Sequence, residues 1–153
     1  MSHVAHVEVY VTDLDVLDAA CKRLGLELQR DKTEWCWWGN DVGDSDLAQG
    51  FNRSQFGRGD HAIKVAGTNP RMGSVGPWEI GLVKRPDGQP GWALLYDQFG
   101  MHGRMLEAAA GSGLSKLKRE LAVESAKAEM YRMGYQVYTV DVNGETQVIG
   151  EKA

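Results

Sequence analysis

An α+β fold with a largely antiparallel sheet follows from three features of the 153-residue chain. Apolar residues alternate at the N-terminus and recur in short central runs, amphipathic helical spacing follows the first run, and a long helix leads into a turn-centred hairpin at the C-terminus. Strands joined by short turns pair antiparallel, whereas parallel pairing needs a long crossover between each pair. The expected architecture is an N-terminal strand-helix unit, a sheet, one long C-terminal helix and a terminal β-hairpin, with the helices mostly on one face.

From His6 to Thr12, Val7, Val9 and Val11 point one way and His6, Glu8, Tyr10 and Thr12 the other, which predicts a strand with one buried face. Thr12 is the expected cap of a helix with Asp15 at its third position, its stripe being Leu14, Leu17, Cys21 and Leu24 and its stop Gly25. A second strand is expected over Leu26 to Trp38, ending in the aromatic run Glu34-Trp35-Cys36-Trp37-Trp38. Residues 39–60 form a long polar, glycine-rich loop without periodicity. His61 to Ala66 returns to a strand, and Trp78 to Val83 and Trp92 to Tyr96 form a hairpin across a connector with proline and glycine at both ends.

A short helical segment near Arg104 to Ala110 precedes a helix of about six turns from Leu114 to Met133, stopped by Gly134. Its early stripe is Leu114, Leu117 and Leu121; Val123, Ala126, Met130 and Met133 lie on nearly the opposite side at about 100° per residue. One stripe therefore meets the core and the other is left for a second layer or a partner. Tyr135 to Val142 and Glu145 to Ile149 form a hairpin across Asn143-Gly144, the strongest short-range turn signal in the chain.

Length and a hydrophobic content of 42% match one domain, 1–153, that needs no staple. The net charge of −4 argues against a broad nucleic-acid footprint. Cys21 and Cys36 are too few and too far apart for a zinc ribbon or a redox pair, and are expected as reduced thiols. No apolar run is long enough to span a bilayer and no leader is recognisable, so the expected setting is cytoplasmic, without a membrane.

The opening Met1-Ser2-His3 with its strand and helix, and the run GLSKLKRELAVESAKAEMYRMGYQVYTVDVNGETQVIG, carry a family resemblance. The chain resembles the uncharacterised family of hypothetical chloroplast open reading frame thirty-five, with plastid, cyanobacterial, bacterial and phage members. The resemblance covers both ends and, loosely, the region from Tyr96; Leu121 stands where an aromatic residue is expected. It implies an accessory or regulatory role and no catalytic residues. The stretch His6 to Asp15 leading to Leu24-Gly25-Leu26-Glu27-Leu28 is also similar to the first module of glyoxalase-like, vicinal-oxygen-chelate enzymes, which implies a first-strand histidine as metal ligand. Ala20-Cys21 stands where an aromatic pair is common there, and no second module follows.

A metal centre needs three or four imidazoles, carboxylates or thiolates converging on one point. The four histidines are scattered, and the odd spacing of His3 and His6 sends them to opposite faces of a strand. His6, Glu8, His61 and His102 are the candidate ligands if their strands lie side by side, and they suit a divalent transition metal; otherwise no cofactor is expected. Alternation places Trp35 and Trp37 on one face and Cys36 and Trp38 on the other, so a sheet covered on one side leaves an indole free to stack on a ring ligand, a base or a partner. The competing expectation is that Trp35, Trp37, Trp78 and Trp92 fill the core. His102 and Arg104, beside glycines at a helix start, form a candidate anion site. No nucleophile elbow, phosphate loop or dinucleotide fingerprint is present, and no catalytic residue is assigned.

The expected activity is binding of a partner protein or small ligand, through Trp35, Trp37, Trp38, His102, Arg104, Met130 and Met133, with self-association as one form. The alternatives are a glyoxalase-like metal enzyme and single-strand nucleic-acid binding through the tryptophans with Arg53, Arg58 and Arg71.

Overall fold

The computed structural model describes residues 4–39, 50–71 and 75–152, the side chains of residues 4–6 and 8 excepted. In chain order the elements are β1 (Val4–Val11), α1 (Leu14–Arg23), β2 (Leu26–Gln29), β3 (His61–Val65), β4 (Ile80–Lys84), β5 (Trp92–Asp97), α2 (Gly100–Ala110), α3 (Ser115–Arg132), β6 (Tyr135–Val142) and β7 (Glu145–Lys152). The first five strands form an antiparallel sheet in the order β1-β5-β4-β3-β2, and β6 and β7 form a separate hairpin. The chain is α+β, as its patterning predicts.

The cap of α1 is Asp13 and not Thr12: its carboxylate accepts the N–H groups of Asp15 and Val16 at 2.9 and 3.3 Å. An anionic acceptor at this end also faces the positive pole of the helix, which a hydroxyl cannot match. Gly25, at φ 70°, turns the chain into β2.

β2 stops at Gln29 and does not reach Trp38. Asp31 takes a left-handed φ of 59° and donates its N–H to His61 Nδ1 at 2.8 Å, which leads the chain out of the sheet. The aromatic run stays extended, pairing Glu34 with Arg58 in a single bridge, and keeps the predicted alternation. Trp35 and Trp37 turn to one face of the sheet and Cys36 to the other.

Both faces are therefore covered. On the helix side Val7, Val11, Ile63, Ile80, Leu82, Leu94 and Tyr96 receive Leu17 and Cys21 of α1, Leu106 and Ala110 of α2, and Leu117 and Leu121 of α3. On the back, Ala62, Val83, Ala93 and Leu95 are closed over by Trp35, Phe51 and Phe56, with Trp37 against them. The loop expected over 39–60 thus divides: residues 40–49 lie outside the described residues, while the part from Gly50 onward buries Phe51 and Phe56 around a 3₁₀ turn at Arg53–Gln55 and is a working part of the core. Gly81 makes room for this layer, since a Cβ there would stand 2.2 Å from Trp35 Nε1.

α3 begins at Ser115, one residue inside the expected start, because Leu114 is left-handed at φ 60°. Its first half buries Leu117, Leu121 and Val123. Its second half leaves the sheet and carries β6 and β7 against it. None of residues 124–152 is fully buried.

Candidate functional site

The C-terminal lobe, from Glu124 to Lys152, is built like a fragment of a larger layer. Asn143 and Gly144, at φ 52° and 79°, form the mirror-image two-residue turn whose twist matches paired strands. Alternation then sends Tyr135, Val137 and Thr139 toward α3, half-buried, and Gln136, Tyr138, Val140 and Val142 outward. Tyr138 is 44% exposed, and Val140 and Val142 similarly so. An isolated two-stranded hairpin is marginal in water and needs a further layer to hold it; among the described residues only the face toward α3 has one.

Between α3 and the hairpin lies an open apolar cleft of about 380 Å³, lined by Ala126, Glu129, Met130, Met133, Tyr135 and Gly150. Gly150 lets α3 approach, since a Cβ there would meet Met130 Sδ at 3.1 Å. Met130 is half-buried in this wall, and Met133 stands 63% exposed at its rim beside Tyr131. Flexible thioethers around an apolar hollow are suited to gripping side chains of a partner. Several charges beside it are paired: Lys127 with Glu124 at 3.3 Å, Arg132 with Glu129 at 3.1 Å, and Arg119, earlier on α3, donates to Thr146 at 3.0 Å.

The remaining candidates are dispersed. Trp35 is buried, its Nε1–H donating to Arg58 O at 3.1 Å, and Trp37 is half-buried between Trp35 and Phe56. Trp38 alone of the three faces solvent, at 43%; its N–H donates to Asp97 Oδ2 at 3.1 Å and that of Phe99 to Oδ1 at 3.0 Å. Trp78 is buried on the helix side and Trp35 on the back, so the tryptophans form no single layer. His102 lies half-buried against Trp78, ring centroids 4.3 Å apart, with Nδ1 2.5 Å from Gly76 O, while Arg104 on the same helix is exposed.

Of the candidate metal ligands, the side chains of His6 and Glu8 lie outside the described residues; the backbone of His6 pairs with Leu95. His61 is buried with its Nδ1 accepting from Asp31, which leaves the proton on Nε2, and its ring stands edge-on to Trp92 at 4.9 Å. Among the described residues no group of three or more His, Cys, Asp or Glu comes together as an ion would require.

Sequence reasoning passed over Glu79, a fully buried carboxylate. It accepts from Gln29 Nε2 at 2.5 Å, Lys32 Nζ at 2.7 Å and the Cys36 N–H at 2.9 Å, which ties β2, the aromatic segment and β4 together at one end of the sheet. The available signal was an acid set inside the apolar run Trp78-Glu79-Ile80-Gly81-Leu82-Val83. Burial, then the Glu79 carboxylate, push the adjacent Cys36 thiol up to about 11, against the smaller opposing effect of Lys32; burial and Asp18 push Cys21 to about 12. Both thiols are inert at neutral pH.

Comparisons of the chain with protein-family models, with curated proteins and with solved structures find no match. Among the described residues no helix is long and apolar enough to cross a membrane.

Proposed function

We propose that the protein acts by recognition, as an accessory or regulatory chain whose C-terminal lobe is completed by a protein partner. One observation carries this reading: 29 consecutive residues, 124–152, fold into a helix end and a hairpin in which no residue is fully buried, and leave Tyr131, Met133, Tyr138, Val140 and Val142 each more than a third exposed. Apolar groups grouped in this way mark interaction surfaces. The resemblance of this same run to an accessory family points in the same direction. Trp38 and the half-buried His102 belong to other surfaces and are not needed for it.

Photo-crosslinking tests the proposal. A photoreactive residue at Met133 or Tyr138 is expected to give a discrete protein adduct in an extract of the native cells, and one at Lys22, exposed on α1, to give none. Equal or absent labelling at all three positions would refute it.

A further inference from the structure

The two edges of the C-terminal hairpin differ in charge. β7 carries Glu145, Glu151 and Lys152, whereas β6 carries only Asp141, preceded by six uncharged residues from Tyr135 to Val140. Charged side chains are the usual guard against edge-to-edge pairing, and a long apolar edge without them is a template for another strand. Val142 and Glu145 close the turn, so Val142, Val140, Tyr138 and Gln136 direct their peptide groups toward β7. Tyr135, Val137, Thr139 and Asp141 direct theirs outward, and no strand among the described residues takes them.

We propose that β6 pairs with β6 of a second copy of this chain across a two-fold axis at Thr139, joining the two hairpins into one four-stranded antiparallel sheet. The inference rests on the recognition reading above and names the partner. A two-fold axis normal to the sheet keeps each face with itself, so residues of equal parity must face each other, and the outward-directed peptides of β6 meet that condition. Centred on Thr139, the pairing sets Tyr138 against Val140 of the second copy, and Val140 against its Tyr138, on the exposed face. Gln136 faces Val142, and Asp141 faces Val137, so no carboxylate meets another. The fully overlapping register of β7 with itself, centred on Val148, instead sets Glu145 against Glu151 twice, and like charges directly opposed are destabilising. Electrostatics therefore selects β6 as the pairing edge.

The purified chain alone tests this by sedimentation and by cysteine crosslinking. Facing residues of a hydrogen-bonded pair have Cα atoms about 5.5 Å apart, within disulfide reach, and the native thiols are buried. Mild oxidation of Thr139→Cys is expected to give covalent dimer as the main species, and Gln147→Cys on β7 to stay monomeric. Wild type should sediment as a dimer. Thr139→Pro, which removes an edge donor, and Val140→Lys, which adds a charge and keeps the backbone, should each weaken self-association roughly tenfold or more; circular dichroism confirms that they fold. A wild type that stays monomeric and uncrosslinked through Thr139→Cys overturns self-pairing, and if Met133 or Tyr138 still yields an adduct of different mass in extract, the recognition reading stands without it. A dimer that survives both Thr139→Pro and Val140→Lys also overturns the inference.

Discussion

Replacing Gly81 by alanine should unseat the back layer of the sheet. Gly81 has no left-handed backbone to protect, so the requirement for glycine is one of space alone. The added Cβ would stand 2.2 Å from Trp35 Nε1, against an ordinary approach of 3.4 Å or more, so the indole must withdraw by over 1 Å. It cannot withdraw freely, because it is buried in one cluster with Phe51 and Phe56, Trp37 packs against it, and its N–H is held by Arg58 O at 3.1 Å. Overpacking of this kind costs about 1–3 kcal/mol, and losing the hydrogen bond about 1 kcal/mol more. The expected loss is about 2–4 kcal/mol, or roughly 5–15 °C in melting temperature for a chain of this size. Urea unfolding followed by far-ultraviolet circular dichroism measures it. The decisive control is Trp35→Ala, itself costing about 3–5 kcal/mol: with the indole gone, Gly81→Ala should be neutral or stabilise by about 0.5–1 kcal/mol, since alanine holds a strand better than glycine. A Gly81→Ala cost that is the same in both backgrounds, or below about 0.5 kcal/mol in the wild type, would refute the assignment of Trp35 to this position.

Lys32→Met leaves the Glu79 carboxylate buried with only Gln29 and the Cys36 N–H; because Lys32 is itself one-third exposed, the loss should be about 2–3 kcal/mol, and adding Glu79→Gln should recover part of it by chemical denaturation. Native Cys21 and Cys36 should resist a disulfide reagent at pH 8, where burial leaves Cys36 about one part in a thousand thiolate, and both should react at once in denaturant. Their ordinary value is 9.0, whereas folded they keep their protons to about 12 and 11; the unfolded chain therefore loses protons first, and stability should fall as pH rises above 9, an alkaline limb that Cys21→Ala should reduce. Acrylamide should quench a minor, red-shifted part of the tryptophan emission, and Trp38→Phe should remove most of it, an unchanged quenching curve counting against the solvent-facing indole.

Where one rule of spacing governed a segment, the residues alone were enough. The alternation of Val7, Val9 and Val11, the stripe of Leu17 and Cys21, the Asn143-Gly144 turn and the long helix all appear within a residue or two of their expected places, because period and turn chemistry are local. The alternation of Trp35, Cys36 and Trp37 was legible too, though the strand expected to carry it ends at Gln29. Met130 and Met133 were recognised as a second stripe, but not the strand edge beside them.

What required the tertiary structure was the meeting of segments distant in sequence. Phe51 and Phe56 sit in a stretch without period, and only the sheet's uncovered face gives them something to cover. Glu79 gains its partners from residues about 50 positions earlier. The amino-acid order by itself determined the class of fold, most of the elements and the two unequal halves of α3, since these follow from the chemistry of near neighbours. Only the folded arrangement decided that both sides of the main sheet are closed while the terminal hairpin stands open, because which surface is left over depends on what the whole chain has already buried.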